Sequence, residues 1–145
     1  MDHDAYIDSS VVLRKLLREP GAIPDLSQWR LFSSQLLDVE VRRTLQRCHT
    51  RRVLSADSFA ERLQEWHTFR DAIDLVSISN GILKRAGEPF PTQVKTLDAI
   101  HLATALAWSR KTQESVTILT HDRQFSIAAI ACGLDAVPNH SALLR

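Results

Sequence analysis

Cysteine is scarce in this 145-residue chain: Cys48 and Cys132 stand alone and far apart. That excludes a disulfide framework and the paired spacing of a zinc ribbon. No histidine set supplies a zinc site instead. Both cysteines fall in helix-like segments, so reduced, buried thiols and a cytoplasmic location are expected. Long apolar runs are missing too, and nothing approaches the ~18 residues a membrane-spanning helix needs. The start, Met1-Asp2-His3-Asp4, is acidic and runs straight into a strand pattern, which argues against a signal peptide. Charge is nearly balanced, 18 Lys+Arg against 17 Asp+Glu for a formal +1. Repeats, low-complexity tracts and composition breaks are absent, so residues 1–145 read as one domain with one core.

What is present is an alternation of short apolar runs and helical patterns. Tyr6-Ile7 reads as a first strand, followed by a helix capped by Ser9 or Ser10 and stopped at Pro20-Gly21. Trp29 to Ser33 reads as a second strand. Ser34 then caps a helix whose apolar side carries Leu36, Leu37, Val41 and Leu45. A longer amphipathic helix starts near Ala56 behind Ser55, with Phe59, Leu63, Trp66 and Phe69 at helical spacing. Leu75 to Ile78 is a third strand, Ser79 caps a brief helix ending near Gly87, and Glu88 to Pro91 is a loop. The helix from Leu97 shows Ile100, Thr104, Ala107 and Trp108 on one face and fades from Ser109 to Ser115. Val116 to Thr120 is a β-branched strand, Phe125 to Ala131 a small-residue helix, and Leu134 to Val137 a last edge strand. Strands alternating with helices predict an α/β fold, a mostly parallel sheet with helices on both faces.

Four acids punctuate this pattern. Asp8 closes the first strand, Glu40 follows the second, Asp98 opens an apolar helix, and Asp122 ends Val116 to His121. Each is read as a point where a buried strand gives way to a helix. Ligand sites of open parallel sheets form at the carboxyl ends of strands. Two carboxylates ~4 Å apart repel by about 4 kcal/mol at an effective dielectric of 20. A cluster of them therefore either takes up protons or holds a cation. All-oxygen donors suit Mg²⁺ or Mn²⁺, which activate water and stabilise charge on a phosphoryl oxygen. With four acids set against an ion, 18 basic residues face 13 acidic ones, a formal +5 that suits a polyanion. Singly, each acid has an ordinary explanation: a helix cap for Asp8 and Asp122, an ion pair with Arg43 for Glu40, the helix dipole for Asp98. Their force is joint.

The segments Ala5-Tyr6-Ile7-Asp8-Ser9-Ser10, Glu40-Val41-Arg42-Arg43, Leu97-Asp98-Ala99-Ile100-His101-Leu102-Ala103-Thr104-Ala105 and Leu119-Thr120-His121-Asp122-Arg123 resemble the four motifs of the PIN domain. Their order and spacing resemble the VapC-type toxins of prokaryotic toxin–antitoxin pairs, nearly to Pro138. The resemblance implies a three-layer α/β/α sandwich and a Mg²⁺- or Mn²⁺-dependent endoribonuclease. It also implies a homodimer and a small antitoxin that blocks the groove. Carried over, Asp8, Glu40, Asp98 and Asp122 are the catalytic and metal-binding acids, with Ser9 and Thr120 as hydroxyls placed to bond them. Arg14, Arg43 and His121 are candidate RNA contacts. His101, three residues after Asp98, reads as a satisfied structural histidine. Two other classes stay open. A phosphate-handling α/β domain is one, although Ser10 stands where a phosphatase needs a second Asp. A non-catalytic PIN-like module that binds RNA or protein is the other.

Overall fold

The computed structural model describes residues 3–138; Met1 and Asp2 of the acidic start lie outside them. Eleven elements follow in order: β1 (His3–Ile7), α1 (Ser9–Leu16), β2 (Trp29–Ser34), α2 (Leu36–Thr50), α3 (Ala56–Arg70), β3 (Asp74–Val76), α4 (Asn80–Ala86), α5 (Thr96–Thr112), β4 (Thr117–Leu119), α6 (Arg123–Ala131) and β5 (Asp135–Val137). The five strands form one sheet in the order β3-β2-β1-β4-β5, with every pairing parallel. None of these helices is long and apolar enough to cross a membrane.

Alternation along the central strands divides the core into two layers, because successive strand residues point to opposite faces. Ala5 and Ile7 of β1, Leu31 and Leu119 pack with Val11, Val12 and Leu16 of α1, Leu37, Val41 and Leu45 of α2, and Trp66 of α3. Tyr6, Phe32 and Ile118 face the other way, onto Leu102 and Ala105 of α5 and Phe125, Ala128 and Ala129 of α6. The result is a three-layer α/β/α sandwich. Each fully buried Leu, Ile or Phe contributes ~1.5–3 kcal/mol, which is why both faces of the sheet must be covered.

Local signals shift by a residue or two where tertiary bonds intervene. Ser34 accepts the Leu36 amide at 3.2 Å, yet the helix starts beyond Gln35, which is already helical. Ser55 and Ser79 cap α3 and α4 as expected. β3 begins at Asp74 and stops at Val76. α5 departs most from its pattern. It buries Ala99 and every residue from His101 to Ala105, while Ala107 is exposed. Sheet, α4 and α6 all lean on this helix, so its inner half shows no single stripe.

Two of the four acids also sit elsewhere than the sequence pattern suggests. Asp8 directly follows β1, and Asp122 follows β4 after Thr120 and His121. Glu40, by contrast, lies inside α2, and Asp98 in the first turn of α5, which follows a loop after α4 rather than a strand. Only two of the four are strand-to-helix crossovers.

Candidate active site

The chain winds outward from β1 to β2 and β3, then returns to place β4 on the other side of β1. That reversal puts the switch point, where doubly wound folds form a ligand crevice, at the carboxyl ends of β1 and β4. Asp8 and Thr120 face each other across it. Thr120 Oγ1 donates to Asp8 Oδ2 at 2.8 Å, and Ser10 Oγ donates to the same oxygen at 2.7 Å. Asp8 occupies the N-cap position of α1 but makes no cap bond with its side chain. Its carboxylate is turned to Ser10 and Thr120 instead, and the residue is only 6% exposed. Both hydroxyls are fixed in turn by amides: Ser10 Oγ accepts from His121 N at 2.9 Å, and Thr120 Oγ1 from Asp122 N at 3.0 Å.

Asp122 combines two tasks. Its Oδ1 accepts the Phe125 amide at 3.1 Å and so caps α6, and its charge bears on Asp98. The Asp98 carboxyl is pushed up to about 6, first by burial and then by the negative charges of Asp122, Asp8 and Glu40, with His101 acting the other way. The other three predicted acids thus all bear on Asp98. Glu40 reaches in from α2 and takes His101 rather than Arg43 as partner, Nε2 to Oε1 at 2.7 Å. His101 is 1% exposed. Burial pulls its pKa down, but the hydrogen bond and charge of Glu40, with the charges of Asp8 and Asp98, together offset this and leave it raised. On its other side Nδ1 meets the hydroxyl of Tyr6, which also accepts the Ser34 amide at 3.2 Å. Burial raises the Tyr6 phenol well above its usual range.

An all-carboxylate set with a half-buried, charge-crowded member fits a hard dication by its chemistry. The side chains are not gathered into a finished shell: among the described residues no group of three or more His, Cys, Asp and Glu is set to hold one ion. The reason lies in the bonds above. Asp8 Oδ2 faces two hydroxyls, Glu40 faces His101, and Asp122 faces its own helix.

The remaining predicted residues scatter. Ser9 lies beside the crevice, but the hydroxyls that reach Asp8 are those of Ser10 and Thr120. Arg14 is turned to the Pro20 carbonyl at 3.1 Å. Arg43 is exposed one turn beyond Glu40. Sequence reasoning gave Ser10 and Tyr6 no site role and read His101 as structural. Two signals were available: the chain's one tyrosine shares a strand face with Asp8, and His101 falls one helical turn after Asp98. Two of the acids left outside the site have structural partners. Asp38 accepts from Trp66 Nε1 at 2.9 Å and from Arg70 at 2.8 Å, and Asp4 takes Trp108 Nε1 and Arg30, each at 2.8 Å.

The family model described as PIN domain matches residues 5–131, a span that runs from β1 through α6 and contains all four acids. No curated protein sequence matches the chain.

Proposed function

The chain belongs to the PIN domain family, and from that premise we propose that it is a Mg²⁺- or Mn²⁺-dependent endoribonuclease, the toxin of a type II toxin–antitoxin pair. PIN domains are generally nucleases, typically use divalent metals, and bind RNA. The observation that carries the reading is the Asp98 carboxyl beside the sheet's switch point, on which the negative charges of Asp122, Asp8 and Glu40 all bear. Asp8, Asp98 and Asp122 would hold the ion, with Glu40 as a further ligand or as the group that orients water. A dication bound there supplies an activated water and neutralises phosphoryl charge.

The chain's own residues perform the remaining work. Ser10 and Thr120 anchor Asp8 through one oxygen, which keeps Oδ1 free of protein hydrogen bonds among the described residues. Burial of Asp8 and His101 limits water on the protein side of the crevice. Arg43, exposed on the helix that carries Glu40, would meet an RNA phosphate. Arg14 and His121 are weaker candidates, since Arg14 is tied to its own loop. The likeness to VapC-type toxins adds a small antitoxin protein over the groove, a homodimer and a cytoplasmic setting. The free thiols Cys48 and Cys132 accord with the last.

RNA digestion in Mg²⁺ by the wild type and by Asp8→Ala tests the reading. Cleavage by the first and loss in the second are expected, and equal cleavage would sink it. A second reading keeps the fold without catalysis, as a PIN-like module that binds RNA or protein. It is favoured by the engagement of Asp8, Glu40 and Asp122 with protein donors. Calorimetric titration with Mn²⁺ separates the two, since the module would take up none.

A further inference from the structure

Beyond the four acids, the buried line Ser34 N, Tyr6, His101, Glu40 crosses from the sheet to the site. We infer that His101 is a positioning residue that fixes the Glu40 carboxylate, and that Tyr6, backed by the Ser34 amide, selects the ring orientation that does so. The inference rests on the metal-dependent nuclease reading only for the use to which Glu40 is put.

Three observations carry it. First, the bonds run through residues from four segments: Ser34 ends β2, Tyr6 lies in β1, His101 in α5 and Glu40 in α2. No local helix or turn requires that alignment. Second, Tyr6 and Ser34 are fully buried and His101 nearly so, so water cannot substitute for a missing partner. Third, the proton positions follow from the contacts. With Glu40 a carboxylate, an unprotonated Nε2 would set lone pairs against lone pairs across 2.7 Å. Nε2 therefore carries a proton in either charge state of the ring. In the neutral ring Nδ1 is then an acceptor, and the Tyr6 hydroxyl, which already accepts the Ser34 amide, donates its proton there. Every donor and acceptor in the line is satisfied by this one arrangement.

The consequence falls on Glu40. Its side chain is long, 23% exposed, and on a helix face that also offers Arg43 one turn away. Unheld, it would exchange between solvent and that arginine. The imidazole holds Oε1 on the crevice side, where its negative charge bears on Asp98. The Phe125 ring of α6 lies edge-on to His101 at 6.3 Å between centroids and restricts its tilt.

Two substitutions separate positioning from packing. His101→Gln places an amide donor where Nε2 stood and keeps the Glu40 bond; His101→Asn places its amide where Nδ1 stood and keeps the Tyr6 bond. Each is measured for thermal unfolding, for Mn²⁺ affinity by calorimetry, and for kcat and KM on RNA. Gln is expected within a few-fold of wild type. Asn is expected to lose ~10–100-fold in Mn²⁺ affinity and in kcat with KM little changed, as for other residues that orient a metal ligand. Equal behaviour of the two folded variants would overturn the inference. Should either fail to fold, the two-bond ¹H–¹⁵N spectrum of the wild-type imidazole at alkaline pH decides: an Nε2–H tautomer is expected, and Nδ1–H would refute it. Asp8→Ala is run alongside. If it cleaves as wild type, the nuclease reading falls, while the Mn²⁺ affinities and the tautomer still decide on His101.

Discussion

Asp98 gives the sharpest test of whether the four acids form one electrostatic unit. Its carboxyl stands at about 6, against an ordinary 3.8, because burial and the charges of Asp122, Asp8 and Glu40 all disfavour the anion. About two units at ~1.4 kcal/mol each would be roughly 3 kcal/mol. The carboxyl is only half buried, so solvent screening reduces this to about 1–2 kcal/mol. The sign follows from proton binding. Between about pH 4 and 6 the folded state keeps a proton that the unfolded state has released, so stability falls as pH rises, and the penalty is fully present above 6. Asp98→Asn removes the charge at nearly constant shape. Metal-free, at neutral pH, the variant should therefore be more stable than wild type, with a melting temperature higher by about 3–6 °C. Near pH 4 the gain should shrink toward zero, since Asp98 is then neutral in the folded protein.

Adding Mn²⁺ should reverse the order. An ion that binds only the folded state at about 100 times its dissociation constant adds ~2.7 kcal/mol to the wild type. The variant, lacking a ligand, gains far less. Urea titrations in chelator and in Mn²⁺, each at neutral pH and near pH 4, give all four values. The reasoning fails if Asn destabilises the metal-free protein at neutral pH, or if its gain is the same at both pH values.

Three further substitutions follow from the bonds. Ser10→Ala removes a donor from Asp8 and the acceptor of the His121 amide, so ~1 kcal/mol of stability and ~10–100-fold in RNA cleavage should be lost. Ser9→Ala should change neither by much, and a larger effect at Ser9 than at Ser10 would contradict the geometry. Asp38→Ala strips the partner from the buried Trp66 indole and frees Arg70 and Arg42, joining α2 less firmly to α3. Because both arginines are partly exposed, the cost should be about 1–2 kcal/mol by urea unfolding, with RNA cleavage retained at a temperature where the variant is folded.

The layer architecture was legible because it rests on local signals: β-branched runs bounded by polar residues, serine caps at Ser55 and Ser79, and alternation along β1. Asp8 and Asp122 were legible for the same reason, each lying just after a strand. Glu40 and Asp98 were proposed by motif, and the pattern put them at strand ends where they do not lie. Their approach to the crevice is set by how far α2 and α5 lean over the sheet edge, and that depends on packing across the whole core. Ser10 shows the limit most clearly. Ser9 and Ser10 are indistinguishable as residues after an aspartate. Only the angle at which α1 leaves β1 decides which hydroxyl turns back to Asp8, and that angle is fixed by Val11, Val12 and Leu16 against α2 and α3. His101 was hidden by a different route. Buried among Tyr6, Phe125 and Leu102, it has every mark of a satisfied core histidine, and it is one. The structural and the functional readings of that residue are not rivals, because the same two hydrogen bonds that satisfy its ring are the ones that hold Glu40 in place.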